Sequence, residues 1–157
     1  MNFIALGISH KTAPVSVREI FSFTTRELKN SLLALKGQAH ISGVAILSTC
    51  NRMEIYCHTP DYDATLDALG GFVIKHFGAT DKILEKHFYS LKDSESVRHL
   101  YSVASGLDSQ VIGETQILGQ VRQALLTATE LKTTSLPLVR LFKKALETGK
   151  KVQKETG

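Results

Sequence analysis

Apolar residues recur along this chain at two different spacings, and the changes from one to the other outline its secondary structure. Residues 2–9 (NFIALGIS) are apolar and β-prone and end at a His-Lys-Thr-Ala-Pro turn, where Pro14 disfavours helix for Ala13, so a first strand is predicted there. From Val15 the pattern changes. Thr24 or Thr25 ahead of Arg26-Glu27-Leu28 reads as an N-cap, Leu28, Leu32 and Leu35 fall at helical spacing, and the helix is expected to end near Gly37. Residues 41–48 (ISGVAILS) form a short, nearly continuous apolar run. Residues 53–58 alternate Met53, Ile55 and Cys57 against Glu54, Tyr56 and His58, the mark of a half-buried strand. These two strands pair through a connection at residues 49–52. Leu66, Leu69, Val73 and Phe77 then share one helical face within residues 61–77, and residues 88–91 predict a fourth strand.

The resulting order, βαββαβ, is the split βαβ or ferredoxin-like arrangement: an α+β fold in which two helices back a four-stranded antiparallel sheet. Three further helices follow, over about 94–104, 114–131 and 138–154, with Ser135 and Pro137 as cap and first-turn residue of the last. Residues 1–104 are therefore read as the core and 105–157 as a loop with a helical C-terminal extension.

At 157 residues, 43% of them apolar and 22% charged, the chain is long enough for a real core and lies far from the composition of disordered proteins. Its longest apolar runs are far too short to cross a bilayer, and the N-terminus lacks the pattern of a secretory signal, so a cytoplasmic protein without membrane contact is expected. Cys50 and Cys57 are separated by extended chain and should be free thiols. Six basic and two acidic residues between Leu138 and Gly157 carry the whole net charge of +4. On the last helix Arg140, Lys143, Lys144, Lys150, Lys151 and Lys154 lie opposite the apolar face, making a ridge that suits either solvent or the phosphates of a polyanion.

Cys50 follows an apolar strand inside the turn Ser48-Thr49-Cys50-Asn51-Arg52, and the charge of Arg52 would favour the thiolate that attacks carbonyls. The alternative is a buried cysteine acting as a small hydrophobe, which is the reading given to Cys57 on its apolar stripe. His99 points away from the stripe of Val97, Leu100, Tyr101 and Ala104, toward solvent or a cleft. Residues 105–116 form a loop with glycines near both ends and many short polar side chains, suited to a small polar ligand. Beyond it Gln116, Gln120 and Gln123 share one helix face, and Glu114 is a candidate partner for a substrate ammonium. No GxGxxG, no GxxxxGK[ST] and no zinc-ligand spacing occurs.

GISHKTAPVSVRE at 7–19, STCNRMEIY at 48–56, SGLDSQVIGETQILGQV at 105–121 and GKKVQKET near the end closely resemble the N-terminal catalytic domain of glutamyl-tRNA reductase. The resemblance implies that Cys50 attacks the ester joining glutamate to tRNA and forms a thioester, which NADPH then reduces to glutamate-1-semialdehyde, a precursor of 5-aminolevulinate and the tetrapyrroles. It implies that Thr49, Asn51, Arg52, Ser109, Glu114, Thr115, Gln116 and Gln120 hold the glutamyl group and that His99 assists catalysis. Family members continue into an NADPH-binding domain and a dimerisation domain. The chain is therefore expected to be a fragment that binds no cofactor and cannot carry out the reduction. The longer protein is expected to be a homodimer, with glutamyl-tRNA as substrate and the next enzyme, glutamate-1-semialdehyde aminotransferase, as a potential partner. Two other readings remain open at this point: a cysteine-dependent acyl transferase or thioesterase, and an RNA-binding ferredoxin-like module without catalysis.

Overall fold

Strand β1 (Phe3–Ser9) lies at the centre of a four-stranded antiparallel sheet with β2 (Gly43–Ser48), β3 (Arg52–His58) and β4 (Tyr89–Lys92), in the spatial order β2-β3-β1-β4. This is the ferredoxin-like order. The structure, a computed structural model, describes residues 2–111 and 115–156. Between the strands run α1 (Val15–Arg18), a 3₁₀ turn (Glu19–Phe21), α2 (Thr25–Lys36), α3 (Tyr62–Phe77) and the short α4 (Asp81–His87), and after them α5 (Ser94–Ala104), α6 (Gln116–Glu130) and α7 (Leu136–Thr156). The N-cap of α2 is Thr24, whose hydroxyl accepts from the Glu27 N–H while Glu27 accepts from the Thr24 N–H, a reciprocal capping box. α4 has no counterpart in the sequence reading, because Ile83 and Leu84 alone are too few apolar positions to mark a period.

One sheet face, with Ile4, Leu6, Ile8, Val44, Ile46, Met53, Ile55 and Cys57, packs on Leu32 and Leu35 of α2 and on Leu69 and Val73 of α3. Phe3, Ala5, Ala45, Leu47 and Tyr56 on the other face meet Leu100 and Val103 of α5, Val121 and Leu125 of α6, and Leu138 and Phe142 of α7. The reading of β3 as half-buried is thus corrected: every residue from Arg52 to Cys57 is buried. The long apolar faces of α6 and α7 needed a surface to bury against, and the second sheet face is that surface. Gly149 of α7 crosses so close to α5 that an added Cβ would lie 2.5 Å from the Ala104 carbonyl oxygen. Ser135, just before α7, sits equally close to Gly43 at the start of β2. α7 therefore runs along the sheet toward the end where β2 and β3 turn, with its six predicted cations all exposed. Among the described residues no helix is long and apolar enough to cross a membrane.

Candidate functional site

The β2–β3 turn is held from within by Thr49. Its N–H donates to the Arg52 carbonyl at 2.8 Å, and its hydroxyl accepts from the N–H groups of Asn51 and Arg52 at 3.1 and 3.2 Å. The His10 N–H donates to the Asn51 carbonyl at 2.9 Å and ties this turn to the end of β1. Between these bonds the Cys50 side chain projects outward and is exposed. Cys57 is fully buried, and burial pushes its thiol well above the ordinary range, so it cannot supply a thiolate.

Arg52 differs from its sequence expectation. It was expected to stand as a counter-charge beside the sulfur, yet its guanidinium, 3% exposed, is committed to other groups. One nitrogen donates to the Asp108 carbonyl at 2.7 Å, and the other faces the Asp108 carboxylate at 2.9 Å and Glu54 at 3.3 Å. Asp108 also pairs with Lys11 at 2.7 Å. Burial alone would raise the Asp108 carboxyl, but the Lys11 bond and the Arg52 charge outweigh it and hold the group below the usual carboxylate range.

Glu54 is the hub beneath the site. Fully buried, it accepts from the Tyr56 hydroxyl at 2.8 Å, the Tyr89 hydroxyl, His99 Nε2 at 2.5 Å and Arg52. Desolvation pushes this carboxyl up, but the His99 bond and charge, with Arg52 and Tyr89, more than reverse it, so it stays ionised. Gly7 stands opposite Glu54 in the β1–β3 register, and a Cβ there would lie 2.7 Å from Glu54 Cγ. The glycine of the first motif therefore makes room for the carboxylate of the second. His99, expected to face solvent or a cleft, is partly exposed: α5 turns it onto Glu54, edge-on to the Tyr89 ring at 5.4 Å. Sequence reasoning missed Glu54, Asp108, Tyr56 and Tyr89. The available signal was a carboxylate on a strand whose second face had to be covered by the two long amphipathic helices.

A narrow cleft of about 20 Å³ opens at the turn, lined by Thr49, Cys50, Asn51, Arg52, Ser109, Gln116, Ile117 and Gln120. Seven of the ten predicted site residues thus meet around one space. Thr115 is exposed at the N-cap of α6, His99 connects to the cleft through Glu54 and Arg52, and Glu114 lies outside the described residues. Loop residue Gly106 has φ +78, a left-handed conformation suited to glycine, and turns the chain so that Asp108 and Ser109 reach Arg52 and the cleft. Among the described residues no group of His, Cys, Asp and Glu is placed to hold a metal ion.

The sequence model of the glutamyl-tRNA(Glu) reductase N-terminal domain matches residues 6–156. The chain belongs to this family. It is 45% identical over 157 residues to a glutamyl-tRNA reductase of Pelotomaculum thermopropionicum, and 44% identical over the same length to that of Carboxydothermus hydrogenoformans. In each case the match covers 100% of this chain and 35% of the relative. The solved glutamyl-tRNA reductase of Methanopyrus kandleri superposes with a TM-score of 0.80 at 32% identity, covering 98% of this chain and 35% of that one. The chain thus spans about a third of the length of the curated relatives it matches. Family membership fits the arrangement of the STCNR turn with Ser109, Gln116 and Gln120, which the fold brings together at one end of the sheet.

Proposed function

We propose that this domain captures the glutamyl group of glutamyl-tRNA as a thioester on Cys50. The observation that carries this reading is one exposed thiol at the mouth of a cleft whose other polar residues are amides, hydroxyls and the Arg52 guanidinium, above buried carboxylates that hold that guanidinium in place. Asn51, Gln116 and Gln120 offer amides that both donate and accept, while Thr49 and Ser109 offer hydroxyls, a set matched to the ammonium and carboxylate of a glutamyl group. Arg52 gives the cleft its positive side, and the two carboxylates behind it fix its orientation. His99 acts as a positioning residue, since it reaches Arg52 only through Glu54. Thr115, at the head of α6, and Glu114 complete the proposed substrate set.

The exposed cations of α7 run toward the same end of the sheet and suit the phosphates of the tRNA acceptor arm, which they would position rather than read. In the longer protein, NADPH would reduce the thioester to glutamate-1-semialdehyde in the cytoplasm, within a homodimer able to pass the aldehyde to the next enzyme of the pathway. The described residues do not themselves suit that cofactor. The sheet is antiparallel, and each strand that leads into a helix does so through a turn without glycine, at residues 10–14, 59–61 and 93.

A pre-steady-state burst experiment tests the proposal. With glutamyl-tRNA in modest excess, the chain should release uncharged tRNA in a burst equal to the protein concentration, followed by slower hydrolysis. Steady release without a burst would contradict a covalent intermediate.

A further inference from the structure

Cys50 and Thr49 border a second space. On the side of the turn away from α6, a groove of about 340 Å³ is lined by Val15, Arg18, Glu19, Ser22, Thr49 and Cys50. The bond from the His10 N–H to the Asn51 carbonyl joins the segment that leads into α1 to the cysteine turn, so the two walls of the groove are held together.

We propose that this groove receives the 3′-terminal nucleoside of the charged tRNA, the leaving group of the acyl transfer. The proposal rests on the reading of Cys50 as the nucleophile. When the sulfur adds to the ester carbonyl, the reacting carbon becomes tetrahedral. It then carries Sγ, the oxyanion, the glutamyl Cα and the ribose oxygen, and the last two must extend in different directions from it. The protein offers two spaces meeting at Cys50: a narrow polar one lined by hydroxyls, amides and Arg52, and a wider one with apolar surface and opposite charges. The wider space suits the bulkier group. As the bond between the acyl carbon and the ribose oxygen breaks, the C–S bond is complete, and the thiol proton ends on the ribose oxygen. The products are the Cys50 glutamyl thioester and a tRNA with a free terminal hydroxyl.

Arg18 gives this assignment chemical definition. One Nη donates to the Ala13 carbonyl at 2.7 Å, which fixes the side chain, while Nε is buried and has no partner among the described residues. The guanidinium lines the groove, and a fixed, permanently charged donor there suits a phosphate. The 5′-phosphate of the terminal nucleotide supplies such an anion one ribose away from the reacting ester. Val15, 57% exposed, offers apolar surface for the base, and the exposed Glu19 stands ready to accept from a ribose hydroxyl or an exocyclic amine.

The test compares two acyl donors with the same chain, reading glutamylation of Cys50 over time. One donor is glutamyl-tRNA, and the other is the glutamyl thioester of a small thiol, which lacks a nucleoside. Val15→Trp and Ser22→Trp fill the groove from exposed positions and leave the core untouched. Each should slow acylation by glutamyl-tRNA at least about tenfold, with the small thioester reacting within about twofold of the unmodified chain. Arg18→Ala should act in the same direction, and adenosine 5′-monophosphate should compete with glutamyl-tRNA but not with the small donor. An unchanged rate from glutamyl-tRNA in both tryptophan variants would overturn the assignment, as would equal slowing of the two donors. Acylation of the unmodified chain by neither donor would instead remove the thioester reading on which it rests.

Discussion

Replacing Glu54 by glutamine isolates the contribution of one buried charge. Three of the four groups on the carboxylate meet Oε2, namely His99, Tyr89 and Arg52, while Tyr56 alone meets Oε1. A glutamine with its oxygen at the Oε2 position keeps the first three bonds, and the Tyr56 hydroxyl can rotate to accept from the new amide. Geometry is thereby retained and charge is lost. A hydrogen bond to a charged group contributes roughly 1.5–3 kcal/mol and a neutral one about 0.5–1.5. The change should weaken the bonds from His99 and Arg52 most, while Arg52 keeps Asp108 as a counter-ion. The expected loss is about 2–4 kcal/mol, below the roughly 3–5 that follows when a buried ion is left with no partner.

Equilibrium urea unfolding followed by circular dichroism measures this loss. With a slope of about 2 kcal/mol/M, the midpoint should fall by roughly 1–2 M. The exposed control Glu85→Gln should stay within about 0.5 kcal/mol. The pH dependence provides a second check. Because the folded carboxyl lies below its ordinary value, its contribution is complete above the unfolded value of about 4.3 and is lost as pH falls through the folded one. The gap between the two proteins should therefore be full at neutral pH and narrow below about pH 4.3. A gap under about 0.5 kcal/mol at neutral pH, or one that is constant down to acid pH, would refute the reasoning.

Gly7→Ala should destabilise the domain by about 1–3 kcal/mol, because the new methyl group meets Glu54 Cγ at 2.7 Å and the Met53 carbonyl oxygen at 3.1 Å in a packed interior. Thermal unfolding would show it, and an unchanged midpoint would mean that the hub tolerates displacement. Neutralising Lys143, Lys144 and Lys151 should weaken tRNA binding and reduce the slope of log affinity against log salt by roughly 2–3. An unchanged slope would assign the ridge to solvent.

The strands and longer helices were legible because each buries one periodic apolar face. The N-cap at Thr24 or Thr25, which the structure assigns to Thr24, and the break at Pro14 were equally local signals. Local patterns could not show that the second sheet face is covered, since that depends on where α6 and α7 return in space. Glu54 therefore read as an ordinary polar alternation, and Arg52 as a free charge beside Cys50. Cys50, Arg52, Gln116 and Gln120 stood out by turn position and helix face, and Thr49, Asn51 and Ser109 through motif resemblance, whereas the buried ionic floor beneath them emerges only when β1, β3, β4, α5 and the loop containing Asp108 are brought together. The groove beside α1 was missed for a related reason. Its walls come from segments about 30 residues apart that periodicity reads separately.

Peptide mapping by mass spectrometry after exposure of the chain to glutamyl-tRNA tests the central claim most directly. The account predicts a glutamyl adduct on the peptide that contains Cys50, lost in Cys50→Ser and retained in Cys57→Ser. No adduct, an adduct on Cys57, or equal loss from both variants would contradict it.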